Sequence, residues 1–351
     1  MRWDIFCKVI DNHGDIGVCW RLAAELAARG EDVRLWVDDP SALAWMAPRG
    51  RTGVEVRHWN APADDVPGDV VIEAFACDLD DSFVARIAQR TRTAGAQPVW
   101  LNLEYLSAEG FVERNHGLPS PVLTGPGQGL VKHFFYPGFT PRTGGLLRER
   151  DLDARQHAFD RTGWLGRRGI ACDGRRLVSL FCYEPPALPQ WLEQLAQGTD
   201  RTHLLVTAGR PTAAVREALG PAPDGRGALS VSYLPLLSQR DYDHLLWACD
   251  LNFVRGEDSL VRALWAGRPF VWHTYPQEDG AHHAKLRAFL GWLQAPASLR
   301  AFHEAWSGLV EQPLPALELD AWAAAATLAR DRLAAQQDLA TQLLGFVRKT
   351  G

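Results

Sequence analysis

Residues 3–30 read WDIFCKVIDNHGDIGVCWRLAAELAARG, and this stretch decides the class of fold. The run at 3–10 is apolar and rich in β-forming residues. Residues 17–29 place apolar side chains at helical spacing, and Gly30 then ends the helix. A strand that passes into a helix through a short polar loop is the first half of a βαβ unit. The loop itself, DNHGDIG (11–17), holds two aspartates and two glycines.

The same alternation of strand and helix patterns runs along most of the chain. Strands are predicted in two series, at 3–10, 32–39, 54–60, 69–76 and 97–106, and then at 175–184, 202–209, 228–237, 249–256 and 269–276. Helical patterns separate most of them, which is typical of parallel sheets with helices on both faces. We therefore predict two doubly wound α/β domains in tandem, joined near 165–174. The Gly- and Pro-rich residues 107–150 are predicted to be long loops, and 320–349 to be helical.

Composition excludes several classes of function. The chain has 351 residues, 46% of them hydrophobic, and a net charge of −5. No long basic stretch is present to bind nucleic acid, and no apolar run reaches the roughly 18 residues of a membrane span. The N-terminal residues lack the apolar segment of a signal peptide, and the six cysteines form no C-x-x-C pair. We expect free thiols and a cytoplasmic location.

The loop at 11–17 is the first candidate site. Ligands of open α/β sheets bind outside the carboxyl ends of the strands, where Asp11, Asn12, His13 and Asp15 are predicted to lie. The dinucleotide fingerprint G-x-G-x-x-G is absent, and two carboxylates repel a phosphate. We interpret the loop as catalytic, with Gly14 and Gly17 permitting tight turning and close approach of the backbone. The alternative, an aspartate N-cap followed by a turn aspartate, stays open on pattern alone.

The second candidate site follows the strand that is predicted to end near Val254. A helix N-terminus here would present free N–H groups to a diphosphate, with Arg255 adding charge and Ser259 capping the helix and donating to a phosphate oxygen. Glu257 and Asp258 would accept hydrogen bonds from sugar hydroxyls. A solvated capping turn is the alternative.

Two patterns in this region carry a resemblance. S-x-x-R-A-x-x-x-G-x-P from Ser259, followed by P-x-x-x-G-x-H from Pro276, resembles the donor site of GT-B glycosyltransferases. Nearly the whole chain is similar to the elongation factor P arginine rhamnosyltransferases, most clearly in three segments: WDIFCKVIDNHGDIGVCWRLAAELA (3–27), FCYE (181–184) and FVRGEDSLVRALWAGRPFVWHTYPQEDGAHHAKL (253–286).

This resemblance implies a GT-B fold, in which two Rossmann-like doubly wound domains face a central cleft. Residues 1–170 would form the acceptor-binding and catalytic domain, with a helix at about 336–351 packing back on it. Residues 171–335 would form the nucleotide-sugar-binding domain. The implied reaction is an inverting transfer of L-rhamnose from dTDP-β-L-rhamnose to an arginine of elongation factor P, with no cofactor or metal.

The resemblance also implies roles for individual residues. Asp15 would be the general base and Asp11 a second essential carboxylate, because a carboxylate can pair with a guanidinium, orient it and take a proton from it. The residues implied to bind the two substrates are Asn12, His13, Gly14, Gly17, Phe181, Tyr183, Gln239, Arg255, Glu257, Asp258 and Ser259.

Three of these assignments concern the nucleotide. Phe181 and Tyr183 would line the donor pocket, where a ring can stack on thymine. Core packing of both rings on one face of a buried strand stays open from the residues alone. Gln239 would contact the base through its amide.

Other interpretations of the chain remain. The polar cluster Gln277, Glu278, Asp279, His282 and His283 suggests a metal site, which we reject because GT-B enzymes stabilise charge with a helix dipole and arginine, and no D-x-D motif is present. A GT-B enzyme with a small-molecule or lipid-linked acceptor is the main alternative function. An inert nucleotide-sugar binder is a third, which Asp11 and Asp15 argue against.

Overall fold

The computed structural model describes residues 1–9, 13–59, 65–222, 224–277 and 280–351. The chain divides into two compact units: Met1–Arg150 with Leu333–Gly351, and Asp151–Arg332. The boundary between the units thus lies at Arg150/Asp151 and not at the predicted 170/171. The residues in between belong to the second unit because Trp164, Leu165 and Ile170 are buried in a core cluster with strand residues such as Leu177.

The helices and strands follow one another in three runs. The first unit begins with β1 (Arg2–Cys7), α1 (Gly14–Ala28), β2 (Asp32–Val37), α2 (Leu43–Met46), β3 (Val54–His58), β4 (Val70–Ala74), α3 (Asp81–Ala94), β5 (Val99–Leu103), α4 (Gly110–Asn115), β6 (Pro119–Pro121) and β7 (Val131–Phe135). The second run comprises α5 (Leu152–His157), α6 (Arg161–Gly166), β8 (Arg176–Leu180), α7 (Leu188–Gln197), β9 (Thr202–Val206), α8 (Arg210–Leu219), β10 (Gly225–Arg226), β11 (Leu229–Tyr233), α9 (Gln239–Ala248), β12 (Leu251–Arg255), α10 (Gly256–Ala266), β13 (Phe270–His273), α11 (Ala281–Leu293), α12 (Ala297–Trp306) and α13 (Leu319–Ala334). The chain ends with α14 (Leu339–Thr350) in the first unit.

The sheet of the first unit has the strand order β3-β2-β1-β4-β5-β7-β6. All neighbouring strands are parallel except β6 and β7. Because the order reverses beside β1, the carboxyl ends of β1 and β4 flank a switch point, where ligands of such sheets bind. The strands β1, β2, β4 and β5 are almost fully buried, as expected where helices cover both faces, and their buried polar residues include Asp4 and Arg34, which pair with each other. Side chains of α1 and α14 pack in one core cluster, and those of α3 pack in another.

The sheet of the second unit has the order β10-β11-β9-β8-β12-β13, and it is parallel apart from the pair β10–β11. Its order reverses beside β8. Leu180, the last residue of β8, pairs with Phe253 of β12. The segment after β8 therefore lies next to the end of β12, which places the FCYE segment beside Arg255.

The predicted α/β class with mostly parallel sheets is confirmed, and each of the ten predicted strands is present. Several strands are shorter than predicted: β1 ends at Cys7 and β8 at Leu180, so the polar or aromatic residues that follow are loop residues. Residues 107–150 are not only loops, because they contain α4, β6 and β7.

The six thiols are free, and Cys172 is the exposed one. Among the described residues, no helix is both long and apolar enough to cross a membrane.

Candidate functional site

The first candidate site begins where α1 starts. Asp11 and Asn12 lie outside the described residues. His13 occupies the N-cap position, its side chain makes no capping hydrogen bond, and its carbonyl accepts from the Gly17 N–H at 3.1 Å. Asp15 lies in the first turn of α1 and is partly buried. The N-cap interpretation therefore does not account for Asp15.

The position of Asp15 favours an ionised carboxylate. The partial positive charge at a helix N-terminus stabilises an anion in the first turn, typically by about 0.3–1 kcal/mol. The next residue, Ile16, is fully buried in the core cluster that also holds Cys7 at the end of β1. This packing fixes the first turn of α1 at the switch point of the sheet. A carboxylate held there can bind a cationic group and accept a proton from it.

The two glycines of this segment do not act as we expected. Gly14 and Gly17 are both helical residues of α1, so neither supplies a tight turn, and that prediction is wrong. Gly17 is buried, whereas Gly14 is exposed, and a Cβ added to it would meet no atom within 4 Å among the described residues outside its own turn of α1. The predicted close approach of a ligand to Gly14 stays a prediction.

The second candidate site centres on Arg255 at the end of β12. Its guanidinium lies 4.4 Å from the ring centroid of Phe181 and 4.7 Å from that of Tyr183. Its Nη1 donates to the Cys182 carbonyl at 3.1 Å. Gly256 follows with a φ of +65°, a left-handed conformation that favours glycine and turns the chain into α10. Phe181 and Tyr183 thus lie beyond the end of β8, and both rings contact the arginine. Tyr183 is also buried, so its ring packs in the interior as well.

Burial shifts the pKa values of Arg255 and Tyr183 in opposite directions. It lowers the pKa of Arg255 and raises the pKa of Tyr183 to about 12. The arginine is still charged near neutral pH and the phenol is neutral. A guanidinium has five N–H donors, and within the described part of the chain its one hydrogen bond goes to Cys182. The remaining donors can bind an anion.

Ser259 has a different place from the one predicted. It lies in the fourth position of α10 and does not form the N-cap, which is Arg255. Its buried hydroxyl accepts from the Arg255 N–H at 3.0 Å and donates to the Arg255 carbonyl. The serine therefore fixes the backbone that presents the guanidinium. Direct donation to a phosphate stays a prediction.

The other residues predicted to bind the sugar nucleotide also follow strands of this sheet. Glu257 and Asp258 lie in the first turn of α10, and Glu257 forms an ion pair with Lys285. Gln239 is the first residue of α9, after β11. One turn further along α9, Tyr242 contacts Phe181 with a centroid distance of 5.6 Å. The carboxyl edge of the second sheet thus gathers the predicted residues.

Sequence reasoning missed two residues at this edge. Arg210 begins α8, lies 5.2 Å from the Tyr183 ring centroid and pairs with Glu184 through two hydrogen bonds. His273 ends β13, pairs in register with Arg255, and its ring lies 5.3 Å from that of Tyr183. Burial lowers the pKa of His273 to about 3, so its imidazole is neutral. Arg210 directly follows the predicted strand 202–209, which is the signal that could have found it. His273 lies inside the predicted strand 269–276, and the sequence did not show that β13 ends there.

The polar cluster after β13 is only partly described. Glu278 and Asp279 lie outside the described residues, and the Gln277 N–H donates to His282 Nδ1 at 3.1 Å. Within the described ranges, no group of three or more His, Cys, Asp or Glu side chains is arranged to hold a metal ion. Independence from metal stays a prediction.

Comparisons with known proteins agree on one family. The family model described as "Elongation-Factor P (EF-P) rhamnosyltransferase EarP" matches residues 3–348. Relatives named protein-arginine rhamnosyltransferase are 46% identical in Pseudomonas putida strain KT2440, covering 99% of each chain, and 46% identical in Pseudomonas aeruginosa strain PAO1, covering 98% of each.

Solved structures give the same result. One described as "Structural basis for EarP-mediated arginine glycosylation of translation elongation factor EF-P" matches with a TM-score of 0.69 and 34% identity, over 100% of this chain and 99% of that one. The spinosyn rhamnosyltransferase SpnG, 14% identical with a TM-score of 0.54 over 99% of this chain and 100% of that one, shares the fold. The chain therefore has the GT-B fold and belongs to the EarP family of elongation factor P rhamnosyltransferases, which are glycosyltransferases.

Proposed function

We propose that this chain is an inverting protein-arginine rhamnosyltransferase, which moves L-rhamnose from dTDP-β-L-rhamnose to an arginine of elongation factor P (EF-P). The observation that carries the proposal is the 46% identity, over almost the whole chain, to relatives named protein-arginine rhamnosyltransferase. The placement of Asp15 supports it, because a carboxylate at a helix N-terminus suits a cationic acceptor and is repelled by a phosphate.

In the proposed reaction, Asp15 binds and orients the acceptor guanidinium. A guanidinium is delocalised and a poor nucleophile, so one of its N–H protons must leave as the new bond forms. Nitrogen attacks the anomeric carbon from the face opposite the diphosphate, the carbon–oxygen bond to dTDP breaks, and the proton passes to Asp15. Asp11 is proposed to accept hydrogen bonds from the other N–H groups of the acceptor guanidinium. Attack from the opposite face converts a β-linked donor into an α-linked product.

The donor is proposed to bind at the carboxyl edge of the second sheet. The N–H groups of Arg255 that are not bonded to Cys182 and the N-terminus of α10 would bind the diphosphate. Ser259 would act mainly by fixing Arg255, with Phe181 and Tyr183 holding the guanidinium in plane. Asp258 and Glu257 are proposed to accept hydrogen bonds from rhamnose hydroxyls. The amide of Gln239 is proposed to form hydrogen bonds with thymine.

Removal of divalent metal ions is expected to leave transfer unchanged. The leaving dTDP gains negative charge, and Arg255 with the helix N-terminus would stabilise this charge without a metal. Transfer is measured by mass spectrometry of EF-P after dialysis against EDTA, with and without added Mg²⁺. A loss of activity that Mg²⁺ restores would contradict this part of the proposal.

The proposed function is tested by the intact mass of EF-P after incubation with the chain and dTDP-β-L-rhamnose. We expect a gain of one deoxyhexose on a single arginine, with an α-linkage by NMR of the glycopeptide. An unmodified EF-P under conditions where dTDP binds would contradict the acceptor assignment and favour a small-molecule acceptor. A β-linkage would contradict inversion.

Replacement of Gly14 by alanine is expected to separate stability from activity. Alanine is more stable than glycine in the middle of a helix by roughly 0.5–1 kcal/mol, and at this first helical position we expect a gain of at most that size. Among the described residues outside its own turn of α1, the added Cβ meets no atom within 4 Å. If the acceptor approaches α1 here, the methyl group displaces it, and a misplacement of about 1 Å lowers kcat/KM by on the order of a hundredfold. The measurements are the Tm and kcat/KM for EF-P.

Gly291 provides the matched control, since it is a helical, exposed glycine whose added Cβ also meets no atom within 4 Å. Gly291→Ala is expected to give a similar gain in Tm with unchanged activity. Full activity of Gly14→Ala would show that the acceptor does not need this space.

A further inference from the structure

An aromatic pair lies at the carboxyl edge of the first sheet, outside the residues assigned above. Phe75 follows β4 and Tyr105 follows β5, and their rings stack with centroids 5.0 Å apart and planes 29° apart. Phe75 is 7% exposed, whereas Tyr105 is 41% exposed. The buried ring thus supports an aromatic side chain that reaches solvent.

The backbone below this pair is strained. Phe75 and Ala76 have φ values of 57° and 56°, in the left-handed region that residues with a Cβ rarely adopt. Hydrogen bonds hold the segment: the Phe75 N–H donates to the Leu103 carbonyl at 2.8 Å, the Cys77 N–H to the Ala74 carbonyl at 3.3 Å and the Cys77 thiol to the Phe6 carbonyl at 3.4 Å. Non-glycine residues in this conformation cluster at ligand sites, where the surrounding structure enforces it.

The pair lies at the same edge of the sheet as Asp15. The strand order β1-β4-β5 brings the three carboxyl ends together, and Ala74 pairs in register with Leu103. Phe75 is a member of the core cluster that holds Cys7, which ends β1, and Ile16, which follows Asp15. The residues on both sides of the catalytic loop therefore pack in the cluster that supports the aromatic pair.

The chemistry of the acceptor matches this surface. A guanidinium is planar and weakly hydrated, and it stacks on aromatic rings at a gain of about 0.5–2 kcal/mol. Its in-plane N–H groups stay available to a carboxylate while its face lies on a ring. The second unit shows such an arrangement at Arg255, which contacts two rings and still donates to a carbonyl.

We infer that Tyr105, supported by Phe75, is a substrate-binding residue that stacks on the acceptor guanidinium and holds its plane while Asp15 takes the proton. This inference rests on the proposed function. It assigns the edge between β4 and β5 to recognition of the arginine side chain, and it explains why the exposed ring of Tyr105 stacks on Phe75, a buried residue in a strained conformation.

The test is a double-mutant cycle between enzyme and acceptor. The full-length chain is prepared as wild type, Tyr105→Leu and Tyr105→Phe, and the partner is EF-P with its acceptor arginine intact or replaced by alanine. Binding of EF-P to the dTDP-loaded enzyme, kcat and KM are measured for each pair. Loss of the ring in Tyr105→Leu is expected to weaken binding of intact EF-P by roughly 2-fold to 30-fold. Tyr105→Phe keeps the ring and is expected to restore wild-type binding.

The EF-P variant without the arginine separates stacking from general docking. We expect it to bind wild-type and Tyr105→Leu enzyme equally, because the group that Tyr105 contacts is missing. Phe111→Leu is the matched control, since Phe111 is another exposed aromatic residue of this unit at 37% exposure. It is expected to show no loss that depends on the arginine, and the Tm and dTDP affinity of all variants should be unchanged.

The possible results point to different conclusions. If the wild-type chain does not modify EF-P, the proposed function fails. If it does modify EF-P and Tyr105→Leu matches wild type, or weakens both EF-P forms equally, the role of Tyr105 is overturned and the proposed function stands.

Discussion

Asp15→Asn is expected to lower kcat for EF-P by about 10²–10⁴-fold, the usual contribution of a general base. The amide keeps the size of the side chain but neither attracts the guanidinium nor accepts its proton. Asp15 lies in the first turn of α1, outside the unit that holds Arg255, so the affinity for dTDP-β-L-rhamnose should be unchanged. Single-turnover mass spectrometry and calorimetric titration of the donor measure the two effects.

Asp81→Asn is the matched control. Asp81 also lies in the first turn of a helix of the first unit, so both substitutions remove a charge that the helix dipole stabilises. Both variants are expected to lose a similar, small amount of stability, with Asp81→Asn fully active. Near-normal transfer by Asp15→Asn would remove this residue from the role of base, and Asp11→Asn would then be the next variant to measure.

Arg255→Ala is expected to raise the Kd for the donor by roughly a hundredfold, because charge-assisted hydrogen bonds to an anion contribute about 1.5–3 kcal/mol and the diphosphate accepts more than one. Arg255→Lys keeps the charge but loses the planar fork between the Phe181 and Tyr183 rings. Its affinity should lie between those of alanine and wild type. Calorimetric titration with dTDP and with dTDP-β-L-rhamnose gives both values.

Arg332 offers a close structural match to Arg255. Its guanidinium lies 4.9 Å from the Trp292 ring centroid, it donates to the Trp292 carbonyl at 3.0 Å, and burial lowers its pKa as it does for Arg255. Arg332→Ala should therefore cost similar packing stability with unchanged donor affinity. Equal donor affinity in Arg255→Ala and wild type would contradict the diphosphate assignment.

The sequence predicted the strands of both sheets because each central strand is a short segment rich in apolar residues, with polar residues such as Asp4, Arg34 and Asn252 placed singly within it. It did not predict β6 and β7, which are short, lie between Pro and Gly residues and pair with each other at the edge of the sheet. Their formation depends on the neighbouring strand β5, which is distant in sequence. Local pattern holds little information on such long-range pairing.

Prediction of the site had a similar limit. The helix that follows the strand ending near Val254 singled out Arg255, and the resemblance added Phe181 and Tyr183, which the structure brings into contact with it. The rule that ligands bind at carboxyl ends of strands, applied to the predicted strand 202–209, would have added Arg210, whereas His273 lies inside the predicted strand 269–276 and ends β13 only in the structure. The sequence could not predict the contact of Ser259 with the backbone of Arg255, because a capping pattern gives the position of a hydroxyl only to within a turn.

The place of α14 has a consequence for how the chain folds during synthesis. Leu339, Leu343 and Val347 of this helix are buried in the same cluster as Ile5 of β1 and Leu22 of α1. Roughly 190 residues separate Arg150 from this helix, which at ribosomal rates of about 5–20 residues per second is a delay of roughly 10–40 s. During this interval the first unit has been translated without the helix that covers its core. The nascent chain therefore exposes an apolar surface that chaperones bind, and a message truncated before α14 should yield a protein that aggregates.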